Sequence, residues 1–135
     1  MKRPVVIGTL VIAIAMGAYW YLGGNPSPAE EAGKRGVEVP QISAKAETGA
    51  LLFAENCVVC HGAHGSGTDS GPPLIHKIYE PSHHGDASFL MAVRNGVRPH
   101  HWRFGPMPKI DGLSDSDVSE IVTYVREIQQ ANGIN

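Results

Sequence analysis

Large apolar residues gather in four stretches of the chain, and each predicts a helix. The first is an uncharged run from Val5 to Leu22, behind Lys2 and Arg3. At roughly 18 residues it sits at the lower edge of a bilayer-spanning helix. It ends in Tyr19, Trp20 and Tyr21, which suit a membrane–water interface. A cleaved leader is the rival reading, with Ala13-Ile14-Ala15 as the small-residue site. The apolar run continues past that site, so residues 1–22 are read as an uncleaved anchor. On either reading the positive charge stays inside, and Asn25 onward lies across the membrane.

Gly, Pro and charge then dominate residues 23–44, which read as a flexible linker. Such a coil spans roughly 25 Å on average, and about 70 Å if pulled straight. The second stretch begins near Ser43, where Leu51, Leu52, Phe53 and Ala54 alternate with Lys45, Glu47 and Glu55 at helical spacing. Residues 62–73 carry four glycines and two prolines and read as a loop without regular structure. The third stretch predicts a short helix over Ala87–Asn95, with Asp86 as its cap and Gly96 as its stop. Residues 97–112 return to loop. The fourth opens at Ser114, with Asp115 and Asp117 in its first turn. Val118, Ile121, Val122, Val125 and Ile128 form its apolar stripe, and Asn132-Gly133 ends it. No strand signal or internal repeat is present. Residues 45–135 therefore read as one all-α domain, with three principal helices and long loops.

That is a thin core for a domain of this size. The chain has only two cysteines, and both lie in Cys57-Val58-Val59-Cys60-His61. Two cysteines two residues apart, with histidine directly following, read as a covalent haem c attachment site. Each thiol adds to one vinyl group of a porphyrin, so the sulfurs must lie about one helical turn apart, and the imidazole falls under the iron. A redox dithiol would be expected beside a βαβ pattern, which is absent. A zinc site would need further ligands, which only histidines could supply. A covalent haem also supplies the missing apolar mass.

Iron bound by His61 needs a second axial ligand or an open site. Met91 lies within the helix of Phe89–Val93, where a methionine is more often core. Histidines 64, 76, 83, 84, 100 and 101 are ordinary polar loop residues or candidates for bis-histidine ligation. Met107 stands in Phe104-Gly105-Pro106-Met107-Pro108. Prolines on both sides stiffen this strap. Met107 is the chosen ligand, since a soft thioether favours ferrous iron. Pro72 offers a carbonyl, and no competing N–H, to hold the other ring nitrogen of His61.

These motifs resemble a class I c-type cytochrome of the mono-haem bacterial kind, over about residues 45–130. Gly49 and Phe53 match helix-contact positions ahead of the haem motif. Gly71-Pro72-Pro73-Leu74 matches a Gly-Pro-x-Leu stretch, Met107 the sixth ligand, and Ile121 and Tyr124 the positions where the last helix crosses the first. The resemblance implies the Pro72 carbonyl as the partner of His61. It also implies a close helix crossing at Gly49. The His-rich loop after Leu74 departs from the family pattern, so the propionate-binding residues do not carry over. Arg94, Arg98, Trp102 and Arg103 could serve.

The net charge of -2 becomes -4 once Lys2 and Arg3 are set aside, and nucleic acid is not an expected partner. Lys77, Arg94, Arg98, Arg103 and Lys109 form a locally basic segment that could meet an acidic redox partner. The expectation is an electron-transfer protein rather than an enzyme, tethered to the inner membrane with its haem domain in the periplasm. It would carry single electrons between membrane redox proteins of a respiratory chain. A fixed haem subunit of an oxidase or dehydrogenase complex uses the same residues. An open-site haem sensor or peroxidase would require that Met107 not bind.

Overall fold

The computed structural model describes residues 36–135. The anchor expected at 1–22, and the linker up to residue 35, lie outside the described residues. Among those described, no helix is long and apolar enough to cross a membrane. Among the described residues four helices occur, in the order α1 (Ala44–Asn56), α2 (Val58–His61), α3 (Asp86–Asn95) and α4 (Asp115–Ala131). Two 3₁₀ turns, Ala63–Gly65 and Lys77–Tyr79, interrupt the connecting loops. The described part is helical with no strand, apart from one isolated antiparallel bridge between Val97 and Met107.

Local chemistry fixes the helix ends. Ser43 caps α1 by accepting from the Ala46 N–H. Ser114 and Asp117 form a reciprocal capping box at the start of α4. The start of α3 differs from the expectation. Gly85, not Asp86, holds the cap position, with no side-chain bond. The Asp86 carboxylate is used elsewhere, accepting from Arg126 Nε at 2.9 Å. Gly96 ends α3 at φ 73°, where an L side chain would be strained.

α1 and α4 cross to make the main core. Ala46, Gly49 and Phe53 form the buried face of α1, against the stripe of Ile121, Tyr124, Val125 and Ile128. Leu51, apolar by pattern, points outward and is 69% exposed. Gly49 sets the distance between the helices, because a Cβ there would stand 2.0 Å from the Glu120 carbonyl oxygen. The rings of Phe53 and Tyr124 meet at 5.6 Å within the same crossing. α3 joins from the side through a smaller apolar cluster of Val93, Val118 and Val122.

The described end of the 23–44 segment is tied down. Val37 and Ile42 pack on the core. Glu38 exchanges two hydrogen bonds with the Asn132 side chain, at 3.0 and 2.8 Å. Ser43 donates to the Glu127 carboxylate from its N–H and its hydroxyl. Residues 37–43 thus form an arm along α4.

A second polar anchor lies on the inner side of α4. Gln129 is fully buried, and its amide donates to the carbonyls of Leu74 and Tyr79. Arg126 donates to the carbonyls of Tyr79 and His84 and to Gln129 Oε1, and lies over the Phe89 ring at 4.9 Å. Irregular backbone over 74–85 is satisfied in this way by side chains from a helix.

Two outcomes test this frame. Gly49→Ala should destabilise the haem-loaded protein by about 2 kcal/mol or more in denaturant unfolding, because backbone must move to admit the methyl. The second concerns acid. Hydrogen bonds from the Ser114 hydroxyl and N–H hold the Asp117 carboxyl below its ordinary range. The stability this adds is present above the unfolded aspartate value of about 3.9 and is lost as pH falls through the lower folded value. Asp117→Asn should therefore lower Tm at neutral pH, with the deficit closing as the solution is made strongly acidic. A deficit of constant size across pH would contradict the capping role.

Candidate haem site

Cys57 is the hinge of the site. It closes α1, with its N–H donating to the Phe53 carbonyl at 2.8 Å. Its own carbonyl then accepts from Cys60 and His61, at 3.2 and 2.9 Å. The motif therefore makes one further helical turn, α2, in a new direction. Gly62 stops it at φ 74°.

The glycine-rich loop folds back on that turn. Gly67 donates to the His61 carbonyl at 2.6 Å, and Thr68 Oγ1 to the Cys60 carbonyl at 2.5 Å. A Cβ on Gly71 would lie 2.8 Å from the Cys60 carbonyl, so only glycine permits this approach. The loop is not wholly irregular, since Ala63–Gly65 forms a 3₁₀ turn. Within it His64 adopts a left-handed φ of 55°. Such a conformation costs a side chain roughly 1–2 kcal/mol. Here its Nδ1 stands 2.7 Å from the Tyr124 hydroxyl, which ties the loop to α4.

The fold-back brings Pro72 to His61. The Nδ1–H of His61 donates to the Pro72 carbonyl at 2.9 Å. That bond fixes the ring tautomer and leaves Nε2 as the atom with a lone pair. Burial pushes the His61 pKa below its ordinary value, and the Pro72 carbonyl opposes this less strongly. Burial thus favours the neutral imidazole, the form that binds metal ions.

A cavity of about 640 Å³ opens on this side of the motif. Cys57, His61, Pro72 and Met107 all line it. Phe53, Leu74, Phe89, Val93, Ile121 and Val125 supply hydrocarbon and aromatic wall. Cys60 is exposed and lies outside the wall, in the same turn. Met107 reaches the cavity through its bridge. Met107 and Val97 exchange both backbone hydrogen bonds at 3.0 Å, and the Met107 carbonyl would be only 2.5 Å from a Cβ on Gly96.

Other expected residues are placed differently. Met91, read as core, is 57% exposed, though it also lines the cavity. It lies on the opposite side of α3 from the buried Val93. Arg94 pairs with Asp115 on the surface. Arg94, Arg98 and Arg103 are all outside the wall. Trp102 is in the wall, and its indole N–H donates to the Tyr79 hydroxyl at 3.1 Å. His84, His100 and His101, weighed above as bis-histidine candidates, also line the cavity, and Tyr79 is a wall residue that the pattern alone did not single out. Their clustering depends on contacts between distant segments.

The residues fit a flat apolar cofactor. The volume lies within the ~300–1,000 Å³ of ordinary ligand sites, and the lining is largely apolar. A neutral imidazole and a thioether on one cavity are donors suited to haem iron. The other readings of the motif fit less well. Burial, with the neighbouring Cys60 thiol, pushes the Cys57 thiol up to about 11, whereas redox CxxC pairs depend on a lowered thiol pKa. Among the described residues, neither cysteine belongs to a cluster of three metal-capable side chains.

A helical domain built in this way around CxxCH is the architecture of a protein that holds haem covalently. The family model for cytochrome c matches residues 46–129, and the chain belongs to that family. It is 33% identical to the thiosulfate dehydrogenase of Stutzerimonas stutzeri over 132 residues, covering 90% of this chain and 40% of that protein. It is 33% identical over 86 residues to the Cbb3-type cytochrome c oxidase subunit FixP of a Bradyrhizobium strain, covering 62% of this chain and 27% of that one. The CcoP subunit of Cereibacter sphaeroides is 36% identical over 87 residues, covering 59% and 29%. The chain thus spans well under half the length of each of these relatives. No solved structure gives a significant match. The protein is a class I c-type cytochrome with covalently bound haem c.

Gly96→Ala should uncouple Met107 from α3. The left-handed φ and the crowded Met107 carbonyl both oppose the methyl, so a loss of roughly 1–3 kcal/mol is expected. Amide hydrogen exchange at Val97 and Met107 should quicken, while α1 amides keep their protection.

Proposed function

We propose that Cys57 and Cys60 carry the two thioether links and that His61 and Met107 are the axial ligands of a six-coordinate haem. Pro72 orients His61. The observation that carries this reading is the convergence of His61 and Met107 on one cavity, with His61 Nδ1 already committed to Pro72. When bound, the haem supplies a one-electron ferric–ferrous couple. The chain supplies the rest. The Pro72 carbonyl polarises the His61 N–H and strengthens Nε2 as a donor. Pro106 and Pro108 stiffen the strap on either side of Met107. The apolar wall excludes water, and a thioether favours the ferrous state. With His61 and Met107 both holding the iron, no coordination site would be left open to oxygen or other small ligands.

The proposed setting is the bacterial inner membrane. Residues 1–22 serve as a single-pass anchor, and the haem domain faces the periplasm. The linker between them gives a reach that raises the effective concentration of the domain at membrane redox partners. Because residues 37–43 are held along α4, the free part of that tether ends before Val37. Donor and acceptor are membrane redox proteins of a respiratory chain.

A second reading is a fixed haem subunit of a larger oxidoreductase. It is favoured by two relatives that are oxidase subunits. Mild detergent extraction separates the two, because a subunit co-purifies with its complex and a free carrier does not.

Met107→Ala should leave haem attached. The potential should fall by on the order of 0.1 V, within the ~0.8 V range that axial ligation spans. The variant should also bind carbon monoxide readily in the ferrous form, where the parent resists it. A parent protein that already binds carbon monoxide, and lacks a thioether-to-iron absorption band, would overturn the Met107 assignment in favour of an open-site haem protein.

A further inference from the structure

Outside the thioether and axial positions, a second group of ligand-type side chains converges. His83 and His84 follow the Lys77–Tyr79 turn. His101 belongs to the strap between Val97 and Met107. One ring nitrogen from each lies within 4.8 Å of the other two. The Nε2 atoms of His83 and His101 are 3.2 Å apart. That separation is close to the ligand–ligand edge of a tetrahedral zinc site, about 3.3–3.4 Å for Zn–N bonds of about 2.0–2.1 Å.

The orientation of His84 is built in. Its Nδ1–H donates to the Ile78 carbonyl at 2.7 Å, which leaves Nε2 with the lone pair. A backbone carbonyl on the far ring nitrogen is the usual support of a metal-binding histidine. The backbone of His84 is fixed in turn, since its carbonyl accepts from Arg126 Nη2 at 2.5 Å. His100 lies beside the group, with its ring stacked on that of His84 at 5.8 Å.

We propose that His83, His84 and His101 form a second metal site, for a divalent ion of borderline softness such as zinc or copper(II), separate from the haem iron. Three imidazoles suit such ions and suit magnesium or calcium poorly. His83 and His101 are exposed, so the ion has an entry path and a fourth position open to water or a partner's side chain. The site joins two segments distant in sequence. A bound ion would staple the 76–85 loop to the strap carrying Met107. His84 and His101 also line the haem cavity, so the ion would place positive charge at its wall.

The test is calorimetric titration of the haem-loaded protein with zinc chloride. Parallel titrations use His83→Ala and the double variant His83→Ala/His101→Ala, with thermal unfolding followed with and without zinc. The proposal expects one zinc per chain and at least about a tenfold loss of affinity in the single variant. It also expects a zinc-dependent rise in Tm that the double variant lacks. Zinc affinity unchanged in the double variant would overturn it. So would an altered haem absorption spectrum in His101→Ala without zinc, since that would assign the imidazole to the iron. Unchanged zinc affinity leaves the Met107 assignment standing, whereas an imidazole on the iron would displace Met107 as the second ligand; the Met107→Ala titration distinguishes the two failures.

Discussion

Two helix backbones touch where α1 crosses α4, and the absence of a side chain at Gly49 makes that contact possible. A Cβ there would overlap the Glu120 carbonyl. With the axes this close, Phe53 meets Tyr124. The Tyr124 hydroxyl reaches His64, which holds the loop after the haem motif in a left-handed turn. That loop then returns Pro72 to His61. The placement of His61 at one end of the cavity is linked by this chain of contacts to a missing methyl group at the helix crossing.

The opposite wall has a different origin. Residues 74–85 give Leu74, Ile75 and Tyr79 to the main core, and their carbonyls are held by side-chain donors. Gln129 and Arg126 present amide and guanidinium donors from one face of α4 to the carbonyls of Leu74, Tyr79 and His84. Arg suits this task because its donors are spread over a rigid plane. The arrangement leaves a large apolar volume between the halves. In a domain of this size that volume is part of the core, and haem c completes it.

Much of this was legible in the sequence because it is local. The cap at Ser114, the stop at Gly96, the stripe from Val118 to Ile128 and the CxxCH spacing are set within a few residues of chain. The Gly-Pro return to His61 was also readable, since a short glycine-rich loop leaves few other places for the Pro72 carbonyl. What escaped depends on distant partners. Asp86 looked like a cap, but Arg126, forty residues later, takes its carboxylate. Met91 shares a helix with the buried Val93 yet stands on another side of it. The Val97–Met107 bridge lies in a stretch with no strand pattern, because only two residues pair. The histidines came together across a gap in sequence that no period describes. Residues 36–43 read as linker from composition, although Val37 and Ile42 find apolar ground on the main core.

That arm has a mechanical consequence. Any force entering from the N-terminal side reaches Glu38 and Ser43 before α1. Their hydrogen bonds pass it to Asn132 and Glu127 on α4. The load path therefore runs along the outside of the longest helix, and the turn bearing Cys57, Cys60 and His61 is not in series with it. Tension on the chain would be borne by the strut that frames the cavity, leaving the CxxCH turn unloaded until the arm peels away.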